Sequence, residues 1–220
     1  MSSLPNTLSG DATLELPEFD NPPAEPLALL RAWLESAVRR EVREPFAAVL
    51  ATADADGLPS TRVVLIKEAD ERGLLFASST GSRKGRELAV RPWGSLTFYW
   101  RETLQQLTVA GPVEQVGAGE SDALFATRPR TARASAAVSL QSRPLTDEAA
   151  LRADARALVD DADTVVQRPD EWTGYRLRPT AVEFWYGSPD RLHRRLRYER
   201  PIVDADADTD AGWTHRRLQP

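Results

Sequence analysis

The segment from Pro59 to Leu88 carries the residues that most clearly indicate chemistry. Its β-branched run is bounded by two cations, Arg62 and Lys67, and a Ser/Thr/Gly loop then delivers Arg83 and Lys84 to the start of a helix. Backbone N–H groups at a helix N-terminus, nearby hydroxyls and fixed positive charge together bind anions. The segment therefore predicts a phosphate site, and a solvated loop with scattered surface charges is the alternative.

A second basic segment, RLHRRLRY, runs from Arg191 to Tyr198. If the segment is extended, successive side chains point to opposite faces. One face then carries the cationic or titratable side chains of Arg191, His193, Arg195 and Arg197. The other face carries Leu192, Leu196 and Tyr198. Like charges aligned on one face repel unless something anionic lies across them. An exposed edge strand protected from aggregation by its charge is the alternative.

Composition excludes several classes of protein. The chain has 220 residues, a net charge of −5, no cysteine and only two histidines, His193 and His215. Disulfides, thiolate metal sites and cysteine nucleophiles are therefore excluded, and a His-rich metal centre is not expected. The acidic balance argues against nucleic acid as a partner, and no apolar run approaches the roughly 20 residues that span a bilayer. Without a signal-peptide pattern, we expect a cytoplasmic protein that binds neither nucleic acid nor membrane.

The chain also lacks the common catalytic motifs. It contains no GxGxxG, no Walker loop and no evident Ser/His/Asp set. Anion-binding groups with few acid or base residues and no metal ligands are typical of a protein whose bound cofactor performs the reaction.

The elements that must position these residues are mostly short strands. Residues 1–24 are polar and proline-rich and predict a flexible arm, followed by one domain over 25–220. A helix is predicted from Pro26, on an apolar stripe of Leu30, Trp33, Leu34, Ala37 and Val38. Strands are predicted over 46–53, 60–66, 74–78, 94–100, 105–111, 112–116, 174–179, 181–187, 191–200 and 213–219.

Further helices are predicted over 85–90, from Ser121 as N-cap through 125, and from 146–148 through 159. The acidic run at 204–210 predicts a solvated loop.

Gln105 and Gln106 should point to opposite faces of their strand, so that one meets a ligand and the other meets solvent or a partner. Trp185 could belong to the core. The predicted fold class is mainly β, an antiparallel barrel with helices packed outside it.

Several motifs together resemble the pyridoxamine 5′-phosphate oxidase family of flavoproteins. They are RVVLIK, GSRKGREL, ETLQQ, SLQS, EFWYG, RLHRRLRY and RRLQP, in family order from about Pro26 to Pro220. The stretches REPFAAVLATADADGLPSTRVV and RELAVRPWGSLTFYWRETLQQ, with the ELPEF…NPP arm, look most like the phenazine-biosynthesis branch. The resemblance implies a split β-barrel homodimer with two FMN molecules at the subunit interface.

The resemblance also implies roles for particular residues. The positions that match the family's FMN site are Arg62, Val63, Val64, Leu65, Lys67, Ala77, Ser78, Arg83, Lys84, Gln106, Gln141, Ser142, Trp185 and Arg195, with Gln141 and Ser142 supplied by the other subunit. Arg191 and His193 match the pair that faces the substrate over the flavin and are the implied catalytic residues. Lys67 and Arg128 match further substrate-binding positions, and Lys67 is typical of the vitamin enzymes.

Two departures bear on the substrate. Where the vitamin B6 enzymes have a tyrosine and a serine on the substrate phosphate, this chain has Leu124 and Ala132. Two lost hydrogen bonds to a charged group, at roughly 1.5–3 kcal/mol each, weaken binding by one to several orders of magnitude. The leading hypothesis is therefore an oxidase of a dihydrophenazine carboxylate, with dioxygen as acceptor and hydrogen peroxide as product. Pyridoxine or pyridoxamine 5′-phosphate oxidation is the alternative. A third interpretation is a flavin- or deazaflavin-binding split-barrel protein that stores or senses the cofactor without turning over.

Overall fold

The computed structural model describes residues 8–201 and 212–220. The first seven residues of the predicted arm and the acidic run at 204–210 lie outside the described residues. The helices are α1 Pro26–Arg39, α2 Arg83–Val90, α3 Ala118–Ala126, α4 Arg130–Val138 and α5 Glu148–Asp160. The strands are β1 Ala47–Ala53, β2 Pro59–Leu65, β3 Glu68–Asp70, β4 Gly73–Ser79, β5 Trp93–Trp100, β6 Gln105–Gln115, β7 Trp172–Leu177, β8 Ala181–Tyr186, β9 Arg194–Glu199 and β10 Thr214–Leu218.

The strands form an antiparallel barrel that is split along β6. One side runs in the order β10-β9-β8-β6-β5-β1-β2, and the other runs from the second half of β6 through β7 and β4 to β3. The sequence predicts two strands here, at 105–111 and 112–116, but the structure has one. The change of partner explains the difference, because β6 leaves β8 after Ala110 and joins β7 from Val113. At the crossing, a Cβ on Gly111 would lie 1.9 Å from the carbonyl oxygen of Arg178, so only glycine fits.

The core fills the barrel and is closed by α1. The predicted stripe is largely confirmed, since Leu30, Trp33, Leu34 and Ala37 are buried, whereas Val38 is 48% exposed. Trp33 packs edge-on against Phe184 at 4.9 Å between ring centroids. The predicted fold class is confirmed.

Residues 8–24 are not a free arm. Phe19 is only 1% exposed, in a short 3₁₀-helix over Pro17–Phe19. The indole Nε1 of Trp33 donates to Glu18 at 2.5 Å, and the Tyr186 hydroxyl donates to the carbonyl of Asp11 at 3.2 Å. The flexible-arm prediction is therefore wrong for this part of the segment, because its apolar side chains pack on the barrel of the same chain.

The helices depart from prediction in the middle of the chain. Asp147 caps α5 as expected, accepting from the Ala150 N–H at 2.9 Å. Ser121 does not cap α3, which begins at Ala118; it is buried, and its hydroxyl accepts from the Gly174 N–H at 3.2 Å. Helix α4 was not predicted.

Within the described ranges, no helix is long and apolar enough to cross a membrane.

The second basic segment is extended only from Arg194 onward. The Arg191 N–H closes a turn onto the carbonyl of Ser188 at 3.0 Å, with Arg191 at φ 69°, and Leu192 is 68% exposed. The predicted alternation is therefore wrong for residues 191–193. The edge-strand alternative is also wrong, because β9 lies between β8 and β10. The side chain of Glu183 on β8 pairs with Arg195 at 2.7 Å and with Arg197 at 3.2 Å, which relieves their repulsion.

Candidate functional site

A cavity of about 820 Å³ runs along the free edge of β2. Strand β2 ends the sheet, so residues from both of its faces reach the cavity. Most of the predicted site residues line it, namely Arg62, Val63, Val64, Leu65, Lys67, Ala77, Ser78, Arg83, Lys84, Arg128, Gln141 and Ser142.

The floor of the cavity is a cationic cradle, which we define as Arg62, Arg83, Lys84 and the carboxylate of Glu87. Helix α2 begins at Arg83, after Ser82 caps it by accepting from the Gly85 N–H at 3.2 Å. One turn on, Glu87 accepts from Arg83 Nε at 2.8 Å and from Arg62 Nη2 at 3.1 Å. The single carboxylate thus fixes both arginines and leaves the cradle with a net positive charge.

The pKa of Glu87 reflects this role. Burial alone would raise the pKa of this carboxyl, which is 5% exposed, but hydrogen bonds from Ser60, Thr52, Arg83 and Arg62 lower it to about 2. Glu87 is therefore ionised at neutral pH.

Lys84 is the most buried cation of the cradle, at 7% exposure. Burial lowers its pKa to about 8, and the charge of Arg62 adds to this shift while Glu87 opposes it. Its Nζ lies 3.3 Å from both Ser82 Oγ and Gln141 Oε1, which are neutral partners. An anion bound in the cradle would give the Lys84 ammonium group a negatively charged hydrogen-bond partner, which its two neutral partners do not provide.

The loop after α4 completes the cradle from within the same chain. Gln141 Oε1 accepts from Ser78 Oγ at 3.2 Å as well as from Lys84, and Ser142 Oγ accepts from the Arg83 N–H at 3.1 Å. The implication that Gln141 and Ser142 come from the other subunit is therefore corrected, because the unpredicted helix α4 returns the loop to its own cavity.

Another part of the cavity lining is apolar and holds Arg128. Its guanidinium lies over the rings of Phe125 and Trp172, at 5.5 and 5.1 Å from the centroids. Burial lowers the pKa of Arg128, and its buried Nη1 has no hydrogen-bond partner among the described residues. Leu124, Pro129 and Ala132 line the same wall. This wall therefore presents an unneutralised, planar cation beside apolar surface.

The remaining predicted residues lie elsewhere, on the outer face of the barrel. Gln106, Trp185 and Arg195 stand side by side in register on β6, β8 and β9 and are partly exposed. Trp185 is therefore not a core residue. Gln105 points inward and is 1% exposed, so it meets neither solvent nor partner. The His193 ring lies 4.8 Å from Trp185, and the exposed Arg191 is two residues away.

Sequence reasoning missed several residues that line the cavity or support its lining side chains. Glu87 had a signal, since it follows Arg83 by four residues on a helix and could have been expected to pair with it. No sequence signal pointed to the two rings under Arg128, those of Phe125 and Trp172, because 47 positions separate them in the chain. The groups of described Asp, Glu and His residues include no cluster that could hold a metal ion.

The fold and the cavity together define an antiparallel split barrel that presents a cationic cradle at its surface. The family descriptions "Pyridoxamine 5′-phosphate oxidase" and "Pyridoxine 5′-phosphate oxidase C-terminal dimerisation region" match residues 34–160 and 172–220. The chain belongs to the pyridoxamine 5′-phosphate oxidase family, a family of oxidoreductases. The predicted family is confirmed, and the dimerisation region indicates a homodimer.

Relatives of two kinds are similar over most of the chain. A dihydrophenazinedicarboxylate synthase of Pseudomonas chlororaphis is 42% identical, with 97% of this chain and 92% of that protein covered. A pyridoxine/pyridoxamine 5′-phosphate oxidase of Nitrobacter winogradskyi is 46% identical, over 89% of this chain and 90% of that protein. The crystal structure of PhzG from Burkholderia lata 383 in complex with tetrahydrophenazine-1-carboxylic acid matches with TM-score 0.88 and 43% identity, covering 96% of this chain and 100% of that one.

Proposed function

We propose that this protein is an FMN-dependent oxidase that dehydrogenates a reduced tricyclic carboxylate of the dihydrophenazine type. The observation that carries the proposal is the cavity itself. It is lined by a cradle with surplus positive charge and also by Leu124, Pro129, Ala132 and Arg128, whose Nη1 has no hydrogen-bond partner among the described residues. The cradle suits a phosphate monoester, and the apolar lining with Arg128 suits a flat apolar ring that carries a carboxylate.

The residues of the cradle fit the phosphate of FMN. Lys84 is buried against neutral groups with a pKa of about 8, and two arginines are already held in place by Glu87. A phosphate dianion would satisfy Lys84 and face both guanidinium groups. The chemistry that FMN supplies when bound is acceptance of a hydride from the substrate and return of the electrons to dioxygen, which gives hydrogen peroxide.

The two separated groups of predicted residues support a site at a dimer interface. In the sheet order β9-β8-β6-β5-β1-β2, the cavity lies at the β2 end and Gln106, Trp185 and Arg195 lie toward the other. The outer face between them carries uncharged side chains aligned in register: Val63, Val49, Thr97 and Thr108. Packing this face on its own copy about a two-fold axis would bring the cavity of one protomer to Trp185 and Arg195 of the other.

The roles of the remaining residues follow from this arrangement. Gln106, Trp185 and Arg195 would complete the flavin site from the second protomer, and Arg191 and His193 would face the substrate. Arg128 would bind the substrate carboxylate by a charge-assisted hydrogen bond from Nη1, with Lys67 as a second cation for the substrate. The protein would mainly bind and orient the substrate.

Oxidation of pyridoxine or pyridoxamine 5′-phosphate is the second candidate. Lys67 and Arg128 line one cavity and could together bind a substrate phosphate. Relatives that carry this name are as similar to the chain as the synthases are. The wall argues against it, because Leu124 and Ala132 offer no side-chain hydrogen bond.

The test is dioxygen uptake by the FMN-loaded protein with a dihydrophenazine carboxylate and, separately, with pyridoxine 5′-phosphate. We expect uptake with the tricycle and little with the vitamin ester. The matched variant Leu124→Tyr/Ala132→Ser restores two hydroxyls and should raise turnover of the vitamin ester at least about tenfold. Fast uptake by the unmodified protein with the vitamin ester alone would establish the second candidate instead.

A further inference from the structure

We infer that the backbone of Ser188 fixes His193 as its Nε2–H tautomer, so that His193 serves the site as a hydrogen-bond donor and not as a general base. The tautomer follows from the fold of this chain alone. The use made of it, donation to the substrate, rests on the proposed function.

The observation is a hydrogen bond inside the loop that leads into β9. The Ser188 N–H donates to His193 Nδ1 at 3.0 Å. A neutral imidazole carries its proton on only one of its two nitrogens. Because Nδ1 accepts a hydrogen bond, the proton of the neutral ring lies on Nε2.

The loop is built to hold the Ser188 amide in this position. Asp190 Oδ1 accepts from the Ser188 hydroxyl and from the Leu192 N–H, the latter at 2.9 Å. The Arg191 N–H closes the turn on the carbonyl of Ser188 at 3.0 Å, with Arg191 in the left-handed region at φ 69°. These hydrogen bonds also lower the pKa of Asp190, so the carboxylate that organises the turn is ionised at neutral pH.

The ring is held against an aromatic neighbour and leaves its far edge available. The Trp185 and His193 ring centroids are 4.8 Å apart, with the planes inclined by 47°. His193 is partly exposed, and in the described part of the chain Nε2 has no hydrogen-bond partner. The free edge therefore presents an N–H donor on the outer face, beside the row of Gln106, Trp185 and Arg195.

A fixed donor limits what His193 can do in a dehydrogenation. The substrate loses a hydride to the flavin and a proton from a ring N–H or C–H. Nε2 already carries a proton, so it cannot accept this one, and Nδ1 is occupied by the Ser188 N–H. The proton must then leave to solvent water, while Nε2–H donates to an acceptor on the substrate, for which a carboxylate oxygen is suited.

The tautomer can be measured directly by long-range ¹H–¹⁵N NMR on the full-length protein without flavin or substrate. The chain has only two histidines, and His215→Gln leaves His193 as the single imidazole. At alkaline pH we expect His193 to show a pyrrole-type Nε2 and a pyridine-type Nδ1. A pyrrole-type Nδ1, or an even mixture of the two forms, would overturn the inference. Because neither flavin nor substrate is present, this result is independent of the proposed function.

A matched pair of variants tests the donor role. Asparagine in place of His193 can still accept from the Ser188 N–H, whereas glutamine can extend an N–H toward the position of Nε2. We expect His193→Gln to retain most of kcat and His193→Asn to raise KM about tenfold, the equivalent of one charge-assisted hydrogen bond. A general base would instead cost both variants about 100-fold or more in kcat and remove one limb of the pH–rate profile.

Discussion

The cradle under α2 and the outer face of β6, β8 and β9 hold the two groups of candidate site residues in contrasting ways. In the cradle, Lys84 and Glu87 are buried, Arg83 is exposed, and each cation is oriented by neighbours of the same chain. The outer face is open, and its arginines are paired sideways with Glu183 on the surface of the sheet. Under the proposed function, the first region forms an anion site within one chain, whereas the second completes a site of the partner protomer.

This contrast predicts that substitutions in the two regions affect different properties, namely the folding stability of the protomer and the completion of the flavin site. Substitution of Glu87 in the cradle should reduce both folding stability and flavin binding, because this carboxylate joins the helix, the strands and the cations. Substitutions on the outer face should reduce flavin binding or turnover while leaving the protomer folded. The predictions below test that separation, from the largest expected effect to the smallest.

Glu87→Ala should cost the most stability. Breaking a buried ion pair by removing one partner typically costs about 3–5 kcal/mol, because the remaining charges stay buried. Urea unfolding should show a loss in that range, whereas Glu199→Ala, which removes a half-exposed partner of Arg197, should cost less than about 1 kcal/mol. In the unmodified protein, the pKa of Glu87 is about 2 when folded, against an ordinary value of 4.5. Its contribution to the free energy of unfolding is therefore fully present above pH 4.5 and is lost as the pH falls through about 2. Equal losses from the two variants would contradict the contrast.

Lys84→Met should weaken flavin binding without unfolding the protein. Loss of one charged hydrogen bond to a phosphate corresponds to about 1.5–3 kcal/mol, or roughly 10- to 100-fold in Kd. Fluorescence titration with FMN measures it. Arg86→Met removes the same charge from the exposed face of the same helix and should change Kd by less than about threefold. If both variants weaken binding equally, the cradle acts only through net charge.

Flavin affinity should fall as the pH rises through about 8. Lys84 in the empty cradle loses its proton there, because burial lowers its pKa from 10.5 to about 8. Titrations one unit below and one unit above that value should differ severalfold. In Lys84→Arg the alkaline fall should vanish, since arginine stays charged. An unchanged affinity of the natural protein across this range would rule out a titrating lysine in the site.

The smallest effect should come from one of two adjacent glutamines. Gln105 is buried with its Oε1 unsatisfied among the described residues, so Gln105→Leu should leave unfolding and flavin affinity nearly unchanged or slightly improve stability. Gln106→Leu, on the outer face, should leave stability unchanged and weaken flavin binding a few-fold. Should Gln105→Leu weaken flavin binding more than Gln106→Leu, the assignment of faces would be reversed.

The sequence predicts the parts of the fold that local pattern controls. Alternation located the strands, and Asp147 and the stripe on α1 located two helices correctly. The pattern could not reveal the turn at Ser188–Arg191, because Arg191 takes a left-handed backbone conformation that local sequence does not require. It also could not show that β6 changes partners at Gly111–Pro112, since that depends on strands far along the chain.

The site was predictable to the extent that charge and helix capping define it. Arg62, Arg83 and Lys84 could be predicted as an anion-binding group because they lie near a helix N-terminus. The structure brings the three side chains together. The assignment of Gln141 and Ser142 to the other subunit was implied by the resemblance alone. The local pattern could not correct it, because α4, which returns their loop to the cavity of the same chain, has a basic and alanine-rich sequence without a clear start signal. Neighbours distant in the chain, such as the Phe125 and Trp172 pair beneath Arg128, are set by tertiary packing alone.

The central claim is that each site takes its cradle from one protomer and its outer-face residues from the partner. Lys84→Met should fail to hold flavin at concentrations that saturate the natural protein, and Arg191→Ala should hold flavin but lose most turnover. A mixed dimer of the two variants, isolated with two affinity tags, then has one site with both defects and one with neither. We predict about half the activity of the unmodified dimer, as two-fold symmetry requires. No recovery in the mixed dimer would show that each chain builds its site alone.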